Sequence, residues 1–319
     1  MRVVVCGSHY GATYVHALSR EPGLGTLAAL LARGSRRSQQ LASKLGVPLC
    51  REVDELPDGT DLALVALGSH AASVVDDLLA RGIHALCEHP VSAERIVEMD
   101  RLAVSNRVRA HVNAHFPSLP AVRCFIRAFR RMRRESHARQ IAVTCSDRAL
   151  YAVAAILLEA TISESVSWQL GSIVVGQPYT VTVGSFGQSQ LVLEVQRTDT
   201  GDGLADGSPD ILLDFRIRVV LRTGVLSLLS PAGPVVWTAN GNRVANASSE
   251  LWRLLAASSP VTAEQLFNQR IDANCRSIEA LQRDIETGDV PQNQTVEHLL
   301  RVSRLWEEAA QAFSTGTAL

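Results

Sequence analysis

The sequence is short of lysine. Of the 31 basic residues among its 319, Lys44 alone carries an ammonium group and the rest are arginines. Any step that needs a lysine has one position to draw on. Net charge is also lacking: 31 basic and 32 acidic residues leave −1, which gives no electrostatic case for nucleic acid or an anionic membrane as partner. Long apolar runs are missing, and none reaches the ~20 residues that span a bilayer. The first run, Val3–Cys6, stops at Gly7, so no secretory signal is expected. The six cysteines, Cys6, Cys50, Cys87, Cys124, Cys145 and Cys275, form no C-x-x-C pair and no Cys/His cluster at zinc-ligand spacing. Reduced thiols in a cytoplasmic protein without a metal are the expectation. There is no internal repeat.

What is present is ordinary in bulk and patterned in detail. Hydrophobic content of 46% and charged content of 20% suit a soluble chain with enough core for two domains. Apolar strands and helices alternate at first: strands at 2–6, 26–32, 47–50, 61–67, 83–87 and 109–115, with helices at 11–20, 35–45, 70–81, 92–105 between them. Continuous apolar runs such as DLALVAL at 61–67 fit strands covered on both faces, so the fold class is α/β with a doubly wound parallel sheet. Past Pro117 the texture changes. Helices at 119–134 and 148–161 flank a strand at 139–145, residues 166–239 read as long strands with short turns, and 248–316 read as helical. This predicts a second, α+β domain with an open, mostly antiparallel sheet. The boundaries are 1–116 and 117–319, and the terminal helices are expected to pack back on the first domain. The glycine-rich segment 198–210 reads as a mobile hairpin loop.

The opening strand ends in CGSHYGAT, and a helix follows. A strand that turns through glycine into a helix gathers backbone N–H groups at the positive end of the helix dipole, which suits a pyrophosphate. The usual dinucleotide pattern wants glycine at 7, 9 and 12; here those residues are Gly7, His9 and Ala12, with Gly11 at the helix start. A packing turn stays open as the alternative. The second strand ends in LLARGSRRSQQ, with no acid to hold a ribose 2′-hydroxyl and with Arg33, Ser35, Arg36 and Arg37 clustered instead. Arginine forks and a serine hydroxyl suit a 2′-phosphate, so the cofactor is read as NADPH/NADP+.

The stretches CGSHYGATYVHAL, LLARGSRRSQQLASKLGVPL, LLARGIHALCEHPVS and HVNAHFP together resemble the thiazolinyl imine reductases of siderophore assembly lines. These are divergent members of the glucose–fructose oxidoreductase-type (Gfo/Idh/MocA) dehydrogenase superfamily. The match is clearest over residues 1–135. The family's nucleotide loop keeps only the outer glycines, so His9 fits it. The resemblance implies a Rossmann domain and NADPH-dependent reduction of a thiazoline C=N to a thiazolidine. It also implies a substrate tethered to a carrier domain of a nonribosomal peptide synthetase, and a homodimer formed through the open sheet. Gly7, Ser8, His9, Tyr10, Gly11, Arg33, Gly34, Ser35, Arg36, Gly68, Ser69, His70 and Glu88 are the expected cofactor residues. For Tyr10 a packing role stays open, and for Gly68–His70 a simple helix cap.

The superfamily's E-K-P motif after the fifth strand reads Glu88-His89-Pro90 here, and its later Asp-x-x-x-His has no histidine in SDRALYAVAAILLEATI. A polyol dehydrogenase loses both its usual proton-handling residues. Imine reduction needs only a proton delivered to nitrogen, for which a histidine near its ordinary pKa suffices. His89 is the candidate general acid. Two alternatives stay open: that it orders substrate or ribose while water supplies the proton, and that it is structural. Relatives carry a tyrosine in the segment where this chain has Phe116, which holds no proton. His115 is a further candidate acid, although neighbouring strand positions face opposite sides. Asn113, His115 and Phe116 are the expected substrate-lining residues.

Arg123, Arg127, Arg130 and Arg134 share one helix face opposite Val122, Phe125, Ile126 and Phe129. A solvated face explains them, and docking of an acidic carrier is the functional alternative. A non-catalytic NADP-binding regulator and a different small imine or carbonyl reductase are the competing functions.

Overall fold

The computed structural model describes all residues except 162–165, 199–210, 242–249, 257–258 and 316–319, and only the backbone of Ser69 and Thr315. The expected loop at 198–210 lies, from 199 on, outside the described residues. The chain divides into two units: residues 1–115 with 267–301, and residues 116–266 with 302–319. The stretch 267–301, assigned to the second domain by the sequence boundaries, therefore belongs to the first.

Unit 1 is built on six parallel strands in the order β3-β2-β1-β4-β5-β6: β1 (Arg2–Cys6), β2 (Thr26–Leu31), β3 (Leu49–Cys50), β4 (Leu62–Val65), β5 (His84–Glu88) and β6 (Ala110–Asn113). This is the doubly wound arrangement, whose crevice lies at the carboxyl ends of the strands where the order reverses. The central strands are buried throughout; Val3, Val4, Val5, Leu62, Ala63, Leu64 and Val65 have no exposure. Helices α1 (Gly11–Arg20), α2 (Arg36–Leu45), α3 (Ala71–Ala80) and α4 (Ala93–Ser105) connect them. Each spans the predicted segment to within a residue or two.

The added segment is a long helix, α7 (Ala263–Thr287), and the start of α8 (Val296–Thr315). Ile271, Cys275, Ile278 and Leu281 of α7 pack into the same core as Val3, Val5, Tyr14 and Leu18. Apolar residues at three- and four-residue spacing make this face, and its burial at roughly 1.5–3 kcal/mol per large side chain fixes the helix there. Polar residues of the segment finish the sheet edge. The Gln294 amide brackets Val112 of edge strand β6, accepting from its N–H and donating to its carbonyl, both at 2.9 Å. A side chain thus replaces a seventh strand and leaves that edge position satisfied.

Unit 2 contains α5 (Pro120–Glu135), α6 (Leu150–Ala160) and a nine-stranded sheet in the order β15-β14-β13-β12-β7-β11-β10-β8, with β9 paired to β10. The strands are β7 (Ala138–Ser146), β8 (Trp168–Gln169), β9 (Ile173–Val174), β10 (Tyr179–Phe186), β11 (Ser189–Gln196), β12 (Phe215–Leu221), β13 (Gly224–Leu228), β14 (Val235–Ala239) and β15 (Trp252–Ala256). Neighbours are antiparallel except β7 and β11, which run parallel. Helix α6 is apolar all round, and ten of its eleven residues are buried. One expectation fails here: Trp252–Ala256, part of the stretch 248–316 read as helical, is an edge strand on β14. Its backbone pairing overrides a weak local preference. The arginine face of α5 is also incomplete, because Arg130 turns inward and donates to the Glu159 carbonyl at 2.5 and 2.9 Å. Among the described residues, no helix is long and apolar enough to cross a membrane.

Candidate functional site

Two sets of residues gather at the carboxyl ends of the unit 1 strands. The first surrounds a cleft of about 580 Å³ where the strand order reverses. Gly7 sits at its floor with φ +105°, and a Cβ there would lie 2.3 Å from the Ala66 carbonyl oxygen. Only glycine allows β1 to turn so close to β4. Helix α1 then starts with no side-chain cap and no acidic residue in its first turn; the Ala12 and Thr13 N–H groups bond back to the His9 and Tyr10 carbonyls, and the positive end of the helix dipole is what faces an anion. Ser8, His9, Tyr10, Gly68 and His70 line the same cleft. The side chain of Ser69 lies outside the described set.

At the β2 and β3 ends the cleft is lined by Arg33, Ser35 and Arg51. Ser35 caps α2, accepting from Ser38 N–H at 3.3 Å. Gly34, at φ +82°, lets the chain pass the Arg51 guanidinium, which a Cβ would approach to 3.1 Å. Arg51 is a residue that sequence reasoning missed, because nothing local marks it: the parallel pairing of Leu31 with Cys50 carries the end of β3 to the cleft that Arg33 also lines. Four expected cofactor residues do not line the cleft. Gly11 packs against Val5 and Cys6 of β1. Gly34 shapes the turn. Arg36 is an exposed first residue of α2. Glu88 belongs to the second set.

That second set is a buried polar cluster at the ends of β5 and β6, whose register puts Glu88 beside Asn113. Tyr14 donates to Glu88 Oε1 through a short hydrogen bond, and Asn113 Nδ2 donates to the same oxygen at 2.6 Å. Asn113 Nδ2 also reaches Asn274 Oδ1 of α7 at 2.8 Å, and Asn274 donates to Thr13 at 3.2 Å. Asn113 has no exposure, so it supports the cluster and does not line a substrate surface. Burial pushes the Glu88 carboxyl up to about 8, against the opposing pull of the Tyr14 and Asn113 hydrogen bonds.

His89 Nδ1 lies 2.7 Å from the Asn113 carbonyl oxygen and 3.5 Å from Glu88 Oε2. A carbonyl can only accept, so Nδ1 carries the hydrogen and Nε2 is the edge presented elsewhere. Burial lowers the His89 pKa, and the hydrogen bond to Asn113 partly opposes this. His115 Nδ1 is 3.1 Å from the Tyr10 hydroxyl, and its ring is 5.7 Å from that of His89. Burial again, then the His89 and Arg270 charges, hold His115 well below the ordinary value. The strand-alternation expectation does not apply to it: β6 ends at Asn113, Ala114 N–H turns back to the Val112 carbonyl, and His115 swings in beside His89. One donor atom each from Glu88, His89 and His115 lie within 4.8 Å of one another, a grouping that sequence spacing did not reveal. Phe116, the other expected lining residue, stacks edge-on with Phe215 in unit 2, centroids 5.4 Å apart. Lys44 is in the last turn of α2, a helix end remote from these strand ends.

Residues 1–114 match the model of an oxidoreductase family with an NAD-binding Rossmann fold, GFO_IDH_MocA. No curated protein matches the chain. Among solved structures, an inositol dehydrogenase homolog from Azotobacter vinelandii complexed with NADH and myo-inositol is 13% identical with a TM-score of 0.73, covering 100% of this chain and 96% of that one. An oxidoreductase from Agrobacterium radiobacter with NAD+, L-tartaric acid and magnesium is 13% identical with a TM-score of 0.72, covering 100% and 98%. A variant of KijD10, a 3-ketoreductase from Actinomadura kijaniata, with TDP-benzene and NADP is 17% identical with a TM-score of 0.69, covering 99% and 97%. Residues 1–114 are thus similar to the NAD-binding Rossmann domain of that oxidoreductase family, and the chain has the fold of these dehydrogenases and reductases.

Proposed function

We propose that the protein is an NADPH-dependent reductase of a thiazoline C=N bond, acting on a carrier-tethered intermediate of the siderophore type. The observation that carries this is the pair Glu88–His89 at the β5 end, with the single lysine elsewhere. A polyol dehydrogenase needs a base for a hydroxyl proton, and the usual lysine is replaced by a buried imidazole. Reduction of C=N asks less of the protein, namely a proton for a basic nitrogen.

The cleft residues fit a dinucleotide. Gly7 and the α1 N-terminus would hold the pyrophosphate, and Arg33, Arg51 and Ser35 a 2′-phosphate. Among the described residues lining the cleft none is acidic, which favours NADPH over NADH. When bound, the cofactor supplies a hydride for carbon. The chain's own share is the proton. With Nδ1 tied to the Asn113 carbonyl, the protonated His89 ring can donate only from Nε2. Burial makes that imidazolium a readier acid than free histidine and a scarcer one at neutral pH. Activity should therefore fall as pH rises.

The acidic carrier would meet the exposed Arg123, Arg127 and Arg134 of α5. A cytoplasmic homodimer is part of the same reading. The test is NADPH oxidation with a synthetic hydroxyphenyl-thiazolinyl-thiazoline ester. Turnover supports the reading. NADPH binding with no turnover of a free or carrier-bound thiazoline would replace it by a non-catalytic NADP-binding role.

A further inference from the structure

Glu88, His89 and His115 come from two neighbouring parallel strand ends, and each offers a donor atom within 4.8 Å of the other two. We propose that this cluster is a binding site for a divalent transition ion, Zn2+ in the first instance, with Glu88, His89 and His115 as ligands and a further position left for solvent or substrate.

Two imidazoles and one carboxylate are a donor set that borderline ions accept and that hard ions such as Mg2+ do not seek, since those prefer oxygen throughout. The ligand atoms would draw together by roughly an ångström to reach tetrahedral spacing around zinc. That movement is small for side chains at the ends of strands.

The surroundings are those of a ligand set as well. A metal-binding histidine ordinarily gives its second nitrogen to a carbonyl or another polar group, which fixes ring and tautomer. His89 Nδ1 is held by the Asn113 carbonyl at 2.7 Å, and His115 Nδ1 by the Tyr10 hydroxyl at 3.1 Å. Glu88 Oε1 is held by Tyr14 and Asn113, while Oε2 faces the His89 ring. Each ligand thus has one atom held by an outer partner. The side chains of Glu88 and His89 retain 14% and 8% exposure, so the cluster is not sealed.

One consequence rests on the reductase reading: an ion on His89 Nε2 takes the place of the proton that the reaction uses, so Zn2+ would be a chelator-reversible inhibitor. The binding itself does not rest on that reading and is measured without substrate. The chelator-washed, full-length protein is titrated calorimetrically with ZnCl2, and with CoCl2 while visible absorption is followed. One equivalent of Zn2+, and Co2+ bands of a low-coordinate nitrogen–oxygen site, are expected. His115→Ala and Glu88→Gln should each weaken Zn2+ at least tenfold and abolish the bands, whereas His137→Ala, at an exposed position of unit 2, should leave both unchanged. Thermal melts identify a variant that fails to fold; the other then decides. No binding to the wild-type protein, or binding that neither folded variant weakens, overturns the proposal. Zinc binding without inhibition would sink the reductase mechanism through His89 and leave the site standing.

Discussion

The two halves of the unit 1 sheet edge are made in opposite ways. At β1, β2 and β4 the cleft is open, shaped by glycine and backbone, and edged with arginine. At β5 and β6 His115 is buried, the Glu88 carboxyl and His89 are mostly so, and all three are tied by hydrogen bonds. The first half can hold a large anion because it is open and carries Arg33 and Arg51. The second can tune protons because almost nothing in it is left to water. Desolvation costs little where groups stay exposed and dominates where they do not.

The comparison can be broken at either half, and the largest effect is expected where burial is deepest. Asp284 of α7, 1% exposed, has one carboxylate oxygen 3.0 Å from Arg109 Nε and the other 2.9 Å from His111 Nε2 on β6. Asp284→Ala should cost about 3 kcal/mol in urea unfolding, since it strips a buried pair of one partner. A loss under about 1 kcal/mol would mean that α7 is held by its apolar face alone. His89→Ala should lower kcat by roughly 100-fold or more with NADPH affinity little changed; an unimpaired variant would hand the proton to water. Arg51→Ala should weaken NADPH by about tenfold or more and leave NADH unchanged, as expected for a charged hydrogen bond lost. Equal losses for both cofactors would place Arg51 away from a 2′-phosphate.

The smallest effect concerns pH. The folded Glu88 carboxyl titrates near 8 and the unfolded one at the ordinary 4.5. Between those values the folded chain keeps a proton that the unfolded chain has released, so this group's contribution is full below about 4.5 and lost as pH rises toward 8. Glu88→Gln, a neutral isostere, should remove that slope. In chelator-containing buffer, its Tm relative to wild type should climb from pH 6 to 8. A constant offset would show that Glu88 is ionised in the fold.

The open half was largely legible in the sequence because its parts are local. Gly7, Ser8, Arg33 and Ser35 sit at strand ends that apolar runs announce. Arg51 was not, since only the β2–β3 pairing brings it to the cleft. In the buried half His89 was legible from its strand-end position. Its tautomer was not, because that depends on a carbonyl 24 residues away. The roles of Asn113 and Glu88 were hidden for the same reason: their partners Tyr14 and Asn274 lie on other elements. The reading of 252–256 as helix failed where pairing with β14 decided the outcome.

The return of residues 267–301 to unit 1 has a consequence for biogenesis. When residue 115 leaves the ribosome, the edge of β6 has no Gln294, His111 no Asp284, and Asn113 no Asn274. At cellular rates of synthesis the nascent nucleotide domain waits roughly ten to forty seconds for them. Through that interval it is an incomplete fold with an open strand edge, the state that chaperones hold and proteases cut. A truncation after residue 116 would make that waiting state permanent.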